Sequence, residues 1–76
     1  MIHPEFIEAF GLRVKKLRAE KELSQQQLAN LSEIDIRTIQ RVEQCNFNPS
    51  LDIVYCISLG FKMNISELLD FSVKAR

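Results

Sequence analysis

Residues 36–44 read IRTIQRVEQ, and the chemistry of this stretch lies in its long polar side chains. Arg37, Gln40, Arg41 and Gln44 follow Ile36 by one, four, five and eight positions, so on a helix all five share the outward side. Guanidiniums and carboxamides in such a row match the edges of nucleobases. Arginine pairs with guanine O6 and N7, and glutamine with adenine N6 and N7. The row therefore predicts a helix shaped for a DNA major groove.

The other reactive groups point to little. His3 is the single histidine and sits near a terminus. Cys45 has no base evident nearby and reads as a small helix-end residue, while Cys56 reads as a packing residue. Eleven positions separate the two cysteines, which is no metal-ligand spacing. No glycine-rich phosphate loop and no paired-carboxylate motif occurs. Phe6, Phe10, Phe61 and Phe71 are assigned to the core rather than to a stacking platform for single strands. The sequence thus predicts a binding protein, with no catalytic residue, no metal and no cofactor.

Composition narrows the setting. The 76 residues suit one domain, and a 46% hydrophobic fraction is ample for a core. No apolar run of about 18 residues and no charged-then-apolar leader is present, so a reduced, cytoplasmic protein with no membrane partner is expected. Ten basic residues balance ten acidic ones, and net charge alone gives no support for a nucleic-acid partner. Arg13, Lys15, Lys16, Arg18 and Lys21 crowd one segment, with Lys74 and Arg76 in the tail. A lysine-rich helix face is commonly just a solvated one.

The elements that must position the polar row read as consecutive helices. The first spans about residues 5–21, with Ile7, Phe10, Val14 and Leu17 at helical spacing and Pro4 suited to its first turn. Ser24 and Gln27 form a capping box ahead of the second helix, whose buried side is Leu28 and Leu31. Asp35 caps the third, which turns Ile39 and Val42 inward. Ala29 gives the small residue that two steeply crossed helices need, and Ile34 fills their corner. Pro49-Ser50 opens the fourth helix, with Leu51, Val54, Ile57, Ser58 and Phe61 as its core stripe. Asn64 with Glu67 starts the fifth. The expected fold is an all-α, compact five-helix bundle with a helix-turn-helix.

Residues 24–45, SQQQLANLSEIDIRTIQRVEQC, resemble the helix-turn-helix of the lambda-repressor-like (Cro-type, or XRE) family of DNA-binding regulators. Gly11-Leu12-Arg13-Val14 with Leu17-Arg18 looks like that family's first helix. Pro49-Ser50-Leu51 and Ile65-Ser66-Glu67-Leu68-Leu69 look like its fourth and fifth. The resemblance runs from about residue 10 to 70, leaving a short N-terminal extension and a C-terminal tail on a single domain, 1–76.

The resemblance implies a transcriptional regulator of a prokaryote or phage, bound to double-stranded DNA as a homodimer on a near-palindromic operator. Its recognition helix would span about residues 35–44. Ile36, Arg37, Gln40 and Arg41 would face bases, with Ile36 packing on a thymine methyl. Gln25, Thr38, Gln44, Asn46 and Asn48 would hold the DNA backbone, Gln25 also bracing the recognition helix. Arg18 and Glu43 match an internal ion pair of many relatives. Glu22, Glu33, Cys45 and Lys62 occupy family glycine positions, so either left-handed residues are tolerated or these turns differ. The loop Asn46-Phe47-Asn48 is uncharged where relatives often carry lysine or arginine.

The fourth helix is apolar nearly all round. Ile53, Cys56, Leu59 and Gly60 lie off its core stripe and are the expected dimer interface; the alternative is cover by the fifth helix or the N-terminal extension. A different function class also fits: a protein-interaction module on the same fold, such as an antitoxin or a bridging regulator with a second protein as partner.

Overall fold

Pro4 occupies the first turn of α1 (Pro4–Glu20), where its missing N–H leaves no helical bond unmade. Each later helix begins on a polar side chain. At α2 (Gln25–Ser32) the Ser24 hydroxyl accepts the Gln27 N–H at 3.0 Å, and Gln27 Oε1 accepts the Ser24 N–H at 2.8 Å. Asp35 Oδ1 accepts the Arg37 N–H at 2.8 Å to start α3 (Ile36–Glu43). Ser50 Oγ accepts the Ile53 N–H at 3.2 Å at the start of α4 (Leu51–Gly60). The Asn64 N–H donates to Glu67 Oε1 at 3.1 Å before the single turn of α5 (Ile65–Leu68). The computed structural model describes residues 3–73, and among them there is helix and no strand. The tail cations Lys74 and Arg76 lie outside the described residues.

Packing follows from which side of each helix is apolar. α2 is held between α3 and α4, α1 lies on α3, and α5 closes against α4. Val14, Leu28, Ile39, Val42, Ile57 and Leu68 are fully enclosed. Burying each such side chain contributes about 1.5–3 kcal/mol, so Ile39 and Val42 alone fix the inner side of α3 firmly. Arg13 ties the last helix to the first: its Nη2 donates to the Glu67 carbonyl at 2.8 Å and its Nε to that of Leu68 at 3.3 Å. Both carbonyls lie at the end of α5: that of Glu67 also accepts the Asp70 N–H at 3.2 Å, whereas that of Leu68 accepts no backbone N–H among the described residues. No described helix is long and apolar enough to cross a membrane.

The structure corrects the expected core at several points. Leu31 is exposed, and α2 buries Ala29 and Ser32 beside Leu28 because two helices, not one, press on it. Leu51 is exposed rather than part of the α4 stripe, which is Val54, Ile57 and Ser58 continuing into Phe61. Phe6 is also exposed; its ring centroid lies 5.5 Å from that of Phe71, which packs on the core and lies 6.4 Å from that of Phe10.

Glu22, Glu33, Cys45 and Lys62 all adopt left-handed backbone, with φ of 55°, 55°, 62° and 57°. No other non-glycine residue with positive φ occurs among the described residues. The helix ends keep their geometry, and the chain carries side chains where glycine would be unstrained. At Glu33 the payoff is the turn of the motif: the Ile34 N–H reaches the Ala29 carbonyl at 3.1 Å, closing α2 and aiming the chain into α3.

Candidate nucleic-acid interface

The reading face begins with what anchors its opposite side. Ile39 and Val42 are buried, and Glu43, next in sequence, is buried as well. A carboxylate there needs partners, and it has three N–H donors. Arg18 Nε reaches Glu43 Oε2 at 2.8 Å, Arg18 Nη2 reaches Oε1 at 2.9 Å, and Gln25 Nε2 reaches Oε1 at 3.1 Å. A further Arg18 nitrogen, Nη1, donates to the Leu23 carbonyl at 2.9 Å. The hydrogen bond to Glu43 raises the Arg18 pKa above its already high ordinary value, so the guanidinium stays charged. One network therefore joins α1, the start of α2 and the end of α3, and it fixes the rotation of α3 about its own axis.

With that rotation fixed, Arg37, Arg41 and Gln44 are exposed on the outer side, and Gln40 is half-buried between them. Neither guanidinium forms an ion pair or a side-chain hydrogen bond among the described residues, so both are available to a ligand. Thr38 is half-buried, and Asn46 and Asn48 are exposed in the loop that follows. Ile36 is half-buried and packs on the core, so it presents only part of its side chain outward. Gln25 braces α3 through Glu43, which occupies one of its donors and leaves its carbonyl oxygen and second N–H without a hydrogen-bond partner among the described residues.

Cys45 lies just past α3. Its Sγ sits 3.7 Å from the Glu8 carbonyl and 3.5 Å from that of Glu43. Burial, with the nearby Glu8 carboxylate, pushes the thiol pKa up, which suits a packing residue and not a nucleophile. His3 stands at the start of α1, 3.9 Å from Glu5 and far along the chain from α3. Among the described residues no cluster of His, Cys, Asp and Glu could hold a metal ion.

The second surface differs from the expectation. Gly60 is buried: a Cβ there would lie 2.1 Å from Ser32 Oγ, so this glycine lets α4 approach the end of α2 and is not interface material. Ile53 is half-buried on the core and Cys56 is half-buried. Leu59 is 55% exposed, and with it stand Leu51 at 74% and Tyr55 at 51%, an i, i+4, i+8 stripe along α4. Leu51 and Tyr55 were not anticipated. The available signal was the surplus of apolar residues around α4, which says that a second face exists but not where it lies.

No protein-family model matches the chain, and no curated protein does. Solved structures do. The restriction-modification controller protein C.AhdI from Aeromonas hydrophila is 34% identical, with a TM-score of 0.78 over 82% of this chain and 94% of that one. The controller protein C.Esp1396I is 25% identical, with a TM-score of 0.76 over 84% and 87%. The clp gene regulator ClgR from C. glutamicum, 19% identical with a TM-score of 0.76 over 84% and 83%, shares the fold. With a helix-turn-helix of this geometry and a 34% identical controller aligned over nearly its whole length, the chain belongs to the lambda-repressor-like (Cro-type, XRE) family of helix-turn-helix transcriptional regulators.

Proposed function

We propose that the chain is a sequence-specific regulator that binds a near-palindromic operator as a homodimer, with α3 in the major groove. One observation carries this reading: Arg37 and Arg41 stand exposed and unpaired on the outer side of a helix whose inner side is locked by Ile39, Val42 and the Arg18–Glu43–Gln25 network. A row of free donors on a helix of fixed rotation is what base-edge recognition needs.

In this arrangement Arg37 and Arg41 select guanine, Gln40 adenine, and the outward part of Ile36 touches a thymine methyl. Gln25, Thr38, Gln44, Asn46 and Asn48 hold phosphates and set the register without reading sequence. Residues 1–76 act as one DNA-binding domain. Similarity to two restriction-modification controllers favours a small controller of that kind, acting at operators in the cytoplasm.

Titration of an operator and its single-base variants, over a salt series, tests the reading. Wild type should prefer one near-palindrome whose half-site centres are about 34 Å apart. Arg37→Ala should lose about 1–3 kcal/mol per half-site and relax preference at one base position. Gln25→Ala should weaken all variants alike. The zero net charge and the exposed stripe on α4 favour a second reading, a module that bridges proteins on this fold. Wild type without preference for any genomic sequence would sink the first reading and leave the second.

A further inference from the structure

Along one side of α1, Glu8, Gly11, Lys15 and Arg18 recur at intervals of three, four and three. Three of the four meet the C-terminal end of α3. The Glu8 carbonyl accepts from Cys45 Sγ at 3.7 Å. Gly11 lies so close that a Cβ on it would stand 2.5 Å from the Val42 carbonyl oxygen and 2.6 Å from Cys45 Sγ. Arg18 holds Glu43. Lys15 falls between Gly11 and Arg18 on this row, so its stem rises beside the end of the recognition helix, near enough for its charge to act on the Cys45 thiol. It is exposed and has no hydrogen-bond or ion-pair partner among the described residues.

The other cations of this basic segment are placed differently. Arg13 is spent on the carbonyls that end α5, and Arg18 on Glu43 and Leu23. Lys16 lines a groove on another side of α1 with Glu5, Leu12 and Asp70. Lys21 lies beyond the end of α1. The loop Asn46-Phe47-Asn48, which leaves the same end of α3, carries no charge at all.

We propose that Lys15 is a DNA phosphate contact, set at the C-terminal edge of the reading helix and supplying the positive charge that the adjoining loop lacks. The proposal rests on the DNA-binding reading above. An ammonium on a flexible stem suits it, because a phosphate needs a point charge and no fixed fork. Its contribution is independent of base sequence and appears as counterion release.

The experiment compares wild type, Lys15→Gln, Lys15→Arg, Lys16→Gln and Arg37→Ala on one operator and its variants between about 50 and 200 mM salt. Each phosphate contact contributes roughly 0.9 to the slope of log affinity against log salt, so losing one per subunit should lower a dimer's slope by about 1.8. The Lys15→Gln penalty should then shrink about tenfold across that range, with base preference unchanged. Lys15→Arg should restore the slope and Lys16→Gln should leave it alone. A wild-type slope in Lys15→Gln, with melting temperature lowered instead, would overturn the proposal and leave Lys15 a partner of the α3 dipole. Loss of base preference in Arg37→Ala beside that result keeps the DNA reading and removes only Lys15. Absence of operator binding by wild type overturns both.

Discussion

Arg18 and Glu43 meet side-on, Nε to Oε2 at 2.8 Å and Nη2 to Oε1 at 2.9 Å, but they are not equally buried. The Glu43 side chain is 3% exposed and that of Arg18 20%. The asymmetry makes the two single mutants unequal. In Arg18→Ala a carboxylate stays enclosed with only Gln25 as donor, which should cost about 3–5 kcal/mol. In Glu43→Ala the guanidinium keeps the Leu23 carbonyl and reaches water, so about 1.5–3 kcal/mol is expected. Urea denaturation of the two variants checks the order. Equal losses would mean that Arg18 is as enclosed as its partner.

Much of this frame was legible in the sequence because its signals are local. Ser24 with Gln27, Asp35 and Ser50 each cap a helix within three residues of themselves, so no distant information was needed. The misread positions depend on what comes across from elsewhere. Leu31 sits at a core spacing from Leu28, yet α2 meets both α3 and α4 and buries Ala29 and Ser32 instead. Leu51 sits three before Val54, but a side chain in the first turn leans back past the helix start and so past the edge of the core. Gly60 looked like part of an outer patch because its neighbours are apolar; its contact is Ser32, 28 positions away in the chain. The outward row of α3 was readable as chemistry, whereas the brace from Gln25 to Glu43 and the clamp from Arg13 to α5 needed tertiary distances.

The left-handed residues define a second test. Glu22, Glu33 and Lys62 have exposed side chains and φ near 55°, so glycine there removes strain while losing little contact. Each of Glu22→Gly, Glu33→Gly and Lys62→Gly should gain about 1 kcal/mol. Cys45→Gly should gain less, since its sulfur packs beside Gly11. Thermal melts of the four variants decide this. A fall in melting temperature at all three exposed sites would show that the turns were not strained.

Cys45 also links stability to pH. Burial first, then the Glu8 carboxylate, raises the folded thiol above the ordinary value. The sign follows: a group with a raised folded pKa contributes stability that is whole below its unfolded pKa and is lost as pH rises through the folded one. Stability should thus decline above about pH 8.5, where an unfolded thiol ionises. Cys45→Ala should flatten that part of the curve. Guanidinium titrations from neutral to alkaline pH are the measurement, and an unchanged alkaline slope in the variant would assign the loss to other groups.

The exposed stripe on α4 gives the last test, and it separates assembly from folding. Leu51, Tyr55 and Leu59 stand out from the surface, and Ile65 and Leu69 join Leu51, Asp52 and Tyr55 around a shallow apolar groove. A two-fold dimer must use one patch against its own copy, and an axis crossing the middle of this stripe would bring Tyr55 beside the partner's Tyr55. Tyr55→Glu would then oppose two carboxylates at the axis while disturbing no core contact. The expected outcome is a folded monomer in sedimentation, with a helical spectrum like wild type and lost operator affinity. Ile53→Glu should behave differently, because Ile53 packs on the core: its melting temperature should fall whether or not the protein is dimeric. Leu59→Ala should weaken association without abolishing it. A Tyr55→Glu variant that sediments as wild type does would move the interface off α4, and a monomeric wild type would remove the dimer altogether.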